Sequence, residues 1–203
     1  MTSNPTGHDD APRLTPGARR ILDVASELFY RRGIHAVGVD TIAAESGVTK
    51  RTLYDRFGSK DELVAAYLHA RDRRWRDLVL ATMDAETDPG RRILVPFDVL
   101  DGWLGTSSRG CSFVNAYAEL PDPQHPGRTL IADEKRWLRE LFRASSGKAG
   151  APDPGTLARQ LLVLHEGAMV AFSVAAEPDA VSAARSAAAV LLEHALGRGT
   201  APA

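Results

Sequence analysis

The stretch ESGVTKRTLYDRFGSKDEL, residues 45–63, concentrates positive charge and one tyrosine between and beside two glycines. Within it, Leu53 and Phe57 are four residues apart, which places both side chains on one face of a helix. The neighbouring rows of that helix carry basic and polar side chains. Because glycine commonly ends a helix in a left-handed turn, Gly58 predicts a short helix over TKRTLYDRF.

A second short helix is predicted immediately before it, over DTIAAES up to Gly47. Two short helices joined by a glycine turn form the helix-turn-helix layout, whose second helix enters the major groove of DNA. We therefore expect a helix-turn-helix motif over about residues 38–57.

Two further helices are predicted on either side of this motif. Thr15 is a good N-cap and Pro16 suits the first helical position, and apolar residues follow at helical spacing until Gly33. Ser59 and Glu62 form a capping box that begins a long helix ending near residues 88–90. The expected organisation is a disordered tail over residues 1–14, a helix-turn-helix domain over 15–75 and a second domain over 76–199.

Charge is distributed unevenly along the 203-residue chain, whose net charge is −1. Residues 13–76 contain 13 Lys and Arg against 8 Asp and Glu, an excess of +5, and the rest of the chain is net negative. A basic third in a nearly neutral chain indicates a module that binds a polyanion.

The predicted second helix of the motif offers two sets of DNA-contacting side chains. Its N-terminal residues lie nearest the base edges, where Lys or Arg reaches the O6 and N7 acceptors of guanine; these residues are Thr49, Lys50 and Arg51. Later side chains of this helix, together with Lys60 just after it, suit phosphates, which supply affinity and register; the helix residues are Thr52, Tyr54 and Arg56.

Residues 21–68, from ILDVASELFYRRG to KDELVAAYL, resemble the N-terminal domain of the TetR family of transcriptional repressors. The family's G-V-x-x-x-T-L-Y-x-x-F segment, followed by a lysine, is present from Gly47 to Phe57 with Lys60 after it. The resemblance implies DNA contacts from Thr49, Lys50, Arg51, Thr52, Tyr54 and Lys60. Where many members have Thr or Ser before helix two, this chain has Val37 and Gly38, so we expect Asp40 to cap that helix and Thr41 to take the phosphate contact.

The sequence beyond Pro89 shows helical spacing and no strand-like alternation, so we expect an all-α chain of about nine helices. The predicted helices cover residues 90–108, 110–120, 127–147, 153–177 and 179–197. The last two are apolar around much of their circumference, so one side faces the core and another a partner. The resemblance implies a homodimer through these helices, over about residues 154–176 and 179–197.

Residues 109–128, RGCSFVNAYAELPDPQHPGR, resemble a segment found in one branch of the same family, whose members bind a small molecule in the second domain. A mostly apolar cavity with a few polar groups suits an organic effector. The residues predicted to line such a pocket lie on separate helices: Phe97, Trp103, Cys111, Phe113, Asn115, Tyr117, Trp137, His165, Glu166, Met169 and Phe172.

Two alternative functions stay open on the sequence. Cys111, the single cysteine, follows Arg109 closely, and a cation lowers the pKa of a thiol, so a redox-responsive repressor could sense through Cys111. A ligand-insensitive DNA-binding protein would instead have a filled second domain.

Other classes of function lack their signatures. The chain has no Walker loop, no HExxH and no G-x-S-x-G, and the S-x-x-K match at residues 145–148 falls in a predicted loop. No apolar run approaches the roughly 20 residues of a membrane span, and the N-terminus is unlike a signal peptide. We expect a cytoplasmic regulator that is not an enzyme, uses no cofactor or metal and contacts no membrane; its partners are operator DNA and a small organic effector.

Overall fold

The computed structural model describes residues 14–105 and 109–197. Over these residues the chain is all-α, which confirms the predicted fold class, and it forms nine helices and no strand. The expected tail lies outside the described residues apart from Leu14, as does the expected end of the second domain at residue 199. The helices are α1 (Pro16–Arg32), α2 (Val39–Glu45), α3 (Lys50–Phe57), α4 (Lys60–Ala85), α5 (Pro89–Gly105), α6 (Ser112–Glu119), α7 (Pro126–Lys148), α8 (Pro154–Val174) and α9 (Ala180–Ala195).

Caps read from the sequence fix the ends of the N-terminal helices. The Thr15 hydroxyl accepts a 3.3 Å hydrogen bond from an amide in the first turn of α1, and the Ser59 hydroxyl accepts one of 3.0 Å from the Glu62 amide in α4. Gly47 adopts φ +65°, a conformation that other residues rarely take, and this makes the tight turn between α2 and α3. The helix-turn-helix motif is therefore present as predicted.

Two local predictions were wrong. Gly38, not Asp40, is the N-cap of α2, and no side chain caps that end; the Asp40 carboxylate instead lies 3.1 Å from the ammonium of Lys50, which competes for it. The S-x-x-K match at residues 145–148 forms the last turn of α7 rather than a loop, with Ser146 fully buried.

The buried apolar side chains form two clusters that share the long helix α4. The first joins α1, α2, α3 and the beginning of α4, up to Leu68, and also takes in Phe113 of α6 and Ile131 of α7. The second begins at Trp75 and holds the rest of α4 together with α5, α7, α8 and α9. Helix α6 therefore packs against the N-terminal domain although it follows α5 in the chain.

Helices α8 and α9 leave an apolar surface uncovered. Val163, Val170 and Val174 of α8 and Val190 of α9 are all more than half exposed. Helix α8 is also long and apolar enough, by length and composition alone, to cross a membrane, but a third of that segment is buried against the rest of this protein. Apolar side chains exposed in a row on a packed helix are typical of a protein interface.

Candidate DNA-binding surface and ligand cavity

One face of helix α3 packs against the rest of its domain, and the opposite face is exposed at the surface. Leu53 is fully buried, and Val48 and Phe57 pack partly buried against the same cluster. These three side chains fix the orientation of the helix because they enter a core formed by α1, α2 and α4. The outward face carries the candidate DNA contacts.

The N-terminus of α3 is exposed and positively charged. The Thr49 hydroxyl caps the helix by accepting a 3.1 Å hydrogen bond from the Thr52 amide. The side chains of Lys50 and Arg51 are 51% and 91% exposed, and both can be redirected, since their partners Asp40 and Asp55 are exposed carboxylates that hold them weakly. This end of the helix can therefore present two cations and a threonine to a groove.

The remaining candidates on the motif lie on α2 and along α3. Tyr54 is 40% exposed despite its large ring, and Arg56 is exposed in the last turn of α3. Thr41 and Thr52 are half-buried on α2 and α3. All four lie on the two helices of the motif, as the sequence predicted.

Lys60, in the first turn of α4, already has a partner in the protein. Its ammonium donates a 2.7 Å hydrogen bond to the Ile34 carbonyl in the segment between α1 and α2. Partial burial lowers the pKa of Lys60, opposed by the nearby carboxylates of Asp61 and Glu119. An ammonium has three donors, so a phosphate can still bind while the bond to Ile34 persists.

A small, partly open cavity of about 20 Å³ lies between α4 and the helices of the second domain. Five of the eleven predicted pocket residues line it: Trp103, Cys111, Phe113, His165 and Met169. Such a volume holds about one water molecule, whereas a cavity of about 150 Å³ admits benzene. In this conformation the cavity is too small for an organic effector.

The other six predicted pocket residues do not line this cavity. Phe97 is fully buried, with its ring centre 5.5 Å from that of His165, and Phe172 packs half-buried against the same core. The side chain of Asn115 bonds the Arg109 carbonyl, and Tyr117 is 56% exposed at an open groove. The Trp137 ring packs against the guanidinium of Arg76, and the carboxylate of Glu166 forms an ion pair with the ammonium of Lys135.

Four buried side chains that line the cavity have polar atoms without a hydrogen-bond partner within the described ranges. They are the indole nitrogen of Trp75, the hydroxyl of Ser112, one carboxylate oxygen of Glu134 and both ring nitrogens of His165. Burial lowers the pKa of His165, and the nearby Glu166 carboxylate and Pro96 carbonyl offset this only in part. His165 is therefore an uncharged imidazole near neutral pH, packed among aromatic rings.

Cys111 lies in surroundings that disfavour its thiolate. Burial raises the pKa of the thiol, although the ammonium of Lys135 is 3.8 Å from the sulfur. Burial also lowers the pKa of Lys135, but Cys111, Glu134 and Glu166 outweigh it and raise that pKa. The guanidinium of Arg109, the cation expected beside the thiol, instead donates to the Tyr30 carbonyl. The pKa of the Cys111 thiol is therefore shifted in the direction opposite to the one that the redox alternative requires.

Residues that the sequence did not single out connect the cavity to the N-terminal domain. The Arg71 guanidinium lies 4.6 Å from the ring centre of Tyr30 on α1 and 4.9 Å from that of Trp103 on α5. The Tyr30 hydroxyl also accepts a 3.0 Å hydrogen bond from the Arg109 amide. Arg71 and Trp75 stand in the charged run RDRRWRD of α4, so their sequence context indicated only a solvated helix.

The fold and the exposed basic helix define a helix-turn-helix regulator. Residues 21–67 match the family model for bacterial regulatory proteins of the tetR family. A TetR-family transcriptional regulator from Streptomyces coelicolor has a solved structure that is 32% identical, with a TM-score of 0.82; the match covers 89% of this chain and 96% of that one. This chain belongs to the TetR family.

Two curated relatives give a more partial match. The transcriptional activator FasR of Mycolicibacterium smegmatis is 31% identical over 63% of this chain and 59% of its own length. The transcriptional repressor KstR2 of Rhodococcus jostii is 28% identical over 50% of each chain. The chain therefore spans only about half the length of these curated relatives.

Proposed function

We propose that this protein is a homodimeric transcriptional regulator of the bacterial cytoplasm, without catalytic activity, that binds a roughly palindromic operator. The observation that carries this proposal is the N-terminus of α3, where Thr49, Lys50 and Arg51 are exposed while Leu53 anchors the same helix in the core. Residues 15–75 would form the DNA-binding domain, and the remaining helices would form the effector and dimerisation domain.

The dimer interface is assigned to the exposed faces of α8 and α9. On α8, exposed residues follow a spacing of three and four, the spacing of a helix-packing seam: Gln160, Val163, Gly167, Val170 and Val174. On α9 the corresponding row is Ala183, Ala187, Val190 and His194. Small side chains in both rows allow close approach, and two such pairs form a four-helix bundle.

A two-fold dimer places two copies of α3 against successive turns of the major groove, on the order of 34 Å apart. In the DNA-bound state, Thr49, Lys50 and Arg51 would read bases. Phosphates would be held by Thr41, Thr52, Tyr54, Arg56 and Lys60. The proposed output is repression, relieved when the dimer leaves the operator.

Release is proposed to follow when a small organic effector binds in the second domain. Its support is the cavity with buried polar groups lacking good partners, and its direct connection through Arg71 to α1. An effector shifts DNA binding only by its preference for the released state, so a hundredfold loss of affinity requires about 2.7 kcal/mol of coupling.

Selection of duplexes from a random-sequence library tests the DNA-binding proposal. We expect the wild type to enrich a palindromic site, and the double variant Lys50→Ala, Tyr54→Ala to bind that site at least tenfold more weakly. Arg139→Ala, which removes an exposed cation from α7, is the matched control and should bind as the wild type does. Equal binding by the double variant and the wild type would exclude α3 as the reading helix.

A further inference from the structure

We propose that the effector is an uncharged aromatic molecule with one hydrogen-bonding oxygen, and that Trp103 is the side chain that must move to admit it. This inference rests on the proposed function and specifies the chemistry of its ligand site.

Trp103 lies between the small cavity and a larger open groove. Its side chain lines both the cavity of about 20 Å³ and an open groove of about 620 Å³ between α4 and α5. Its neighbour Gly102 also lines the groove, and within the described residues a Cβ there would contact no atom within 4 Å beyond its chain neighbours and its own helix backbone. A rotation of the Trp103 ring into the groove would therefore merge the two spaces.

The contacts that hold Trp103 in its present position include those with three neighbouring side chains. Its ring meets that of Trp75 edge to face, with centres 5.5 Å apart. The guanidinium groups of Arg71 and Arg74 lie 4.9 Å and 5.3 Å from its centre. When Trp103 moves away, the ring of Trp75 loses its edge-to-face partner. An aromatic ring of the ligand can replace that partner, so the cavity favours aromatic ligands.

The polar groups at the cavity favour a ligand that carries one hydrogen-bonding oxygen. The buried Trp75 indole N–H makes no hydrogen bond within the described part of the chain, so it can donate to a ligand oxygen. The uncharged His165 ring, 5.8 Å from the indole centre to centre, has one donor and one acceptor nitrogen, so it can complement a hydroxyl. A phenol-type hydroxyl satisfies both side chains at once.

The surrounding charges exclude an ionised ligand. A cation would meet the guanidinium groups that already occupy the Trp103 ring, together with Lys135 behind the cavity. An anion would meet Glu134, a buried lining residue whose carboxylate lies 3.0 Å from the ammonium of Lys135. Glu134 and Lys135 already pair with each other, so a charge added beside them would be buried without a partner of its own.

Calorimetry on the DNA-free protein tests the ligand class with four probes of similar shape. We expect saturable binding of 4-methylphenol, at least tenfold tighter than that of 1,4-dimethylbenzene, which differs by having a methyl group in place of the hydroxyl. We also expect at least tenfold weaker binding of 4-methylbenzoate and 4-methylbenzylammonium. Tighter binding of either ion would overturn the proposed class.

Variants locate the site. Trp75→Phe keeps a ring but removes the indole donor, so the preference for 4-methylphenol over 1,4-dimethylbenzene should fall at least fivefold. His165→Gln serves the same purpose if Trp75→Phe unfolds. Trp137→Phe, which alters the one tryptophan that does not line the cavity, is the control and should leave the preference unchanged. An unchanged preference in both cavity variants would refute the site.

The Trp103→Ala variant tests whether the Trp103 side chain must move to admit the ligand. Removing the indole should raise the association rate of 4-methylphenol at least tenfold, because the cavity is then open to the groove. If no neutral probe binds either the wild type or this variant, the cavity holds water only and the inference fails, while DNA binding by α3 is untouched. If 4-methylphenol binds but leaves operator affinity unchanged, the ligand site stands and the release step of the proposed function fails.

Discussion

The hydroxyl of Tyr30, near the end of α1, donates a 3.1 Å hydrogen bond to the backbone carbonyl of Gly110. Gly110 lines the cavity, so this bond joins the DNA-binding domain directly to the wall of the proposed effector site. We therefore expect a movement of Gly110 to act on α1 directly, without passing through the length of α4.

Tyr30→Phe should weaken the communication between the two sites. The change removes the hydrogen bonds to Gly110 and Arg109 but keeps the ring against Arg71. We expect about 1–2 kcal/mol less stability toward urea and a smaller effector-induced loss of operator affinity, with DNA affinity itself little changed. Retention of the full wild-type response would show that this bond carries no coupling.

Gly110→Ala should destabilise the protein more than Tyr30→Phe does. Gly110 has φ +67°, and a Cβ at this position would lie 2.5 Å from the Ser173 hydroxyl oxygen and 2.7 Å from its Cβ. Strain of this kind costs about 1–3 kcal/mol before the clash is added. Urea unfolding measures the loss, and Gly102→Ala, in open space within α5, is a control for the added methyl group.

Gly167→Leu should prevent dimerisation without unfolding the protomer. In the part of the protomer that the structure describes, a Cβ at Gly167 meets no atom within 4 Å outside its own helix backbone and chain neighbours. The larger side chain therefore has room in a single chain but obstructs the proposed close approach of two α8 helices. Analytical ultracentrifugation should show a monomer with an unchanged helical circular-dichroism spectrum. A dimer as stable as that of the wild type would place the interface elsewhere.

Stability should fall on acidification through the range in which His165 would otherwise titrate. Its folded-state pKa is lowered below the ordinary value of about 6.5, mainly by burial, although Glu166 raises it and Lys135 lowers it further. Below about pH 6.5 the unfolded chain binds a proton that the folded chain does not. The free energy of unfolding therefore decreases as pH falls, by at most about 1.4 kcal/mol per pH unit from this group.

His165→Leu should flatten that decrease between about pH 7 and pH 5. Urea unfolding at several pH values measures the slope. His35→Gln changes a histidine whose side chain is at the surface and serves as the control. An identical slope in His165→Leu and the wild type would show that His165 does not contribute to the acid sensitivity.

What the sequence predicted well is local along the chain. Thr15 and Ser59 cap helices because the amides they bind are three residues away, and Leu53 with Phe57 marks the inner face of α3 by spacing alone. Asp40 was misplaced because its actual partner, Lys50, is ten residues away on the next helix. Whether Asp40 caps α2 or pairs with Lys50 depends on the angle between α2 and α3. The spacing of residues along the sequence does not determine that angle.

The cavity was predicted only in part for the same reason. Trp103, Phe113 and His165 were recognised as aromatic or polar residues on separate helices, but their number did not reveal that the space between them is almost filled. Arg71 was missed because its partners Tyr30 and Trp103 lie 41 and 32 residues away in sequence. Such contacts follow from packing across the whole chain.

Hydroxyl-radical footprinting on a selected operator tests the central claim most directly. For the wild type we expect two protected half-sites whose centres are about one helical turn of DNA apart, on the order of 34 Å. The Lys50→Ala, Tyr54→Ala variant should lose both at the same protein concentration. Protection of a single site without two-fold symmetry, or an unchanged pattern in the double variant, would contradict a dimer that reads DNA through α3.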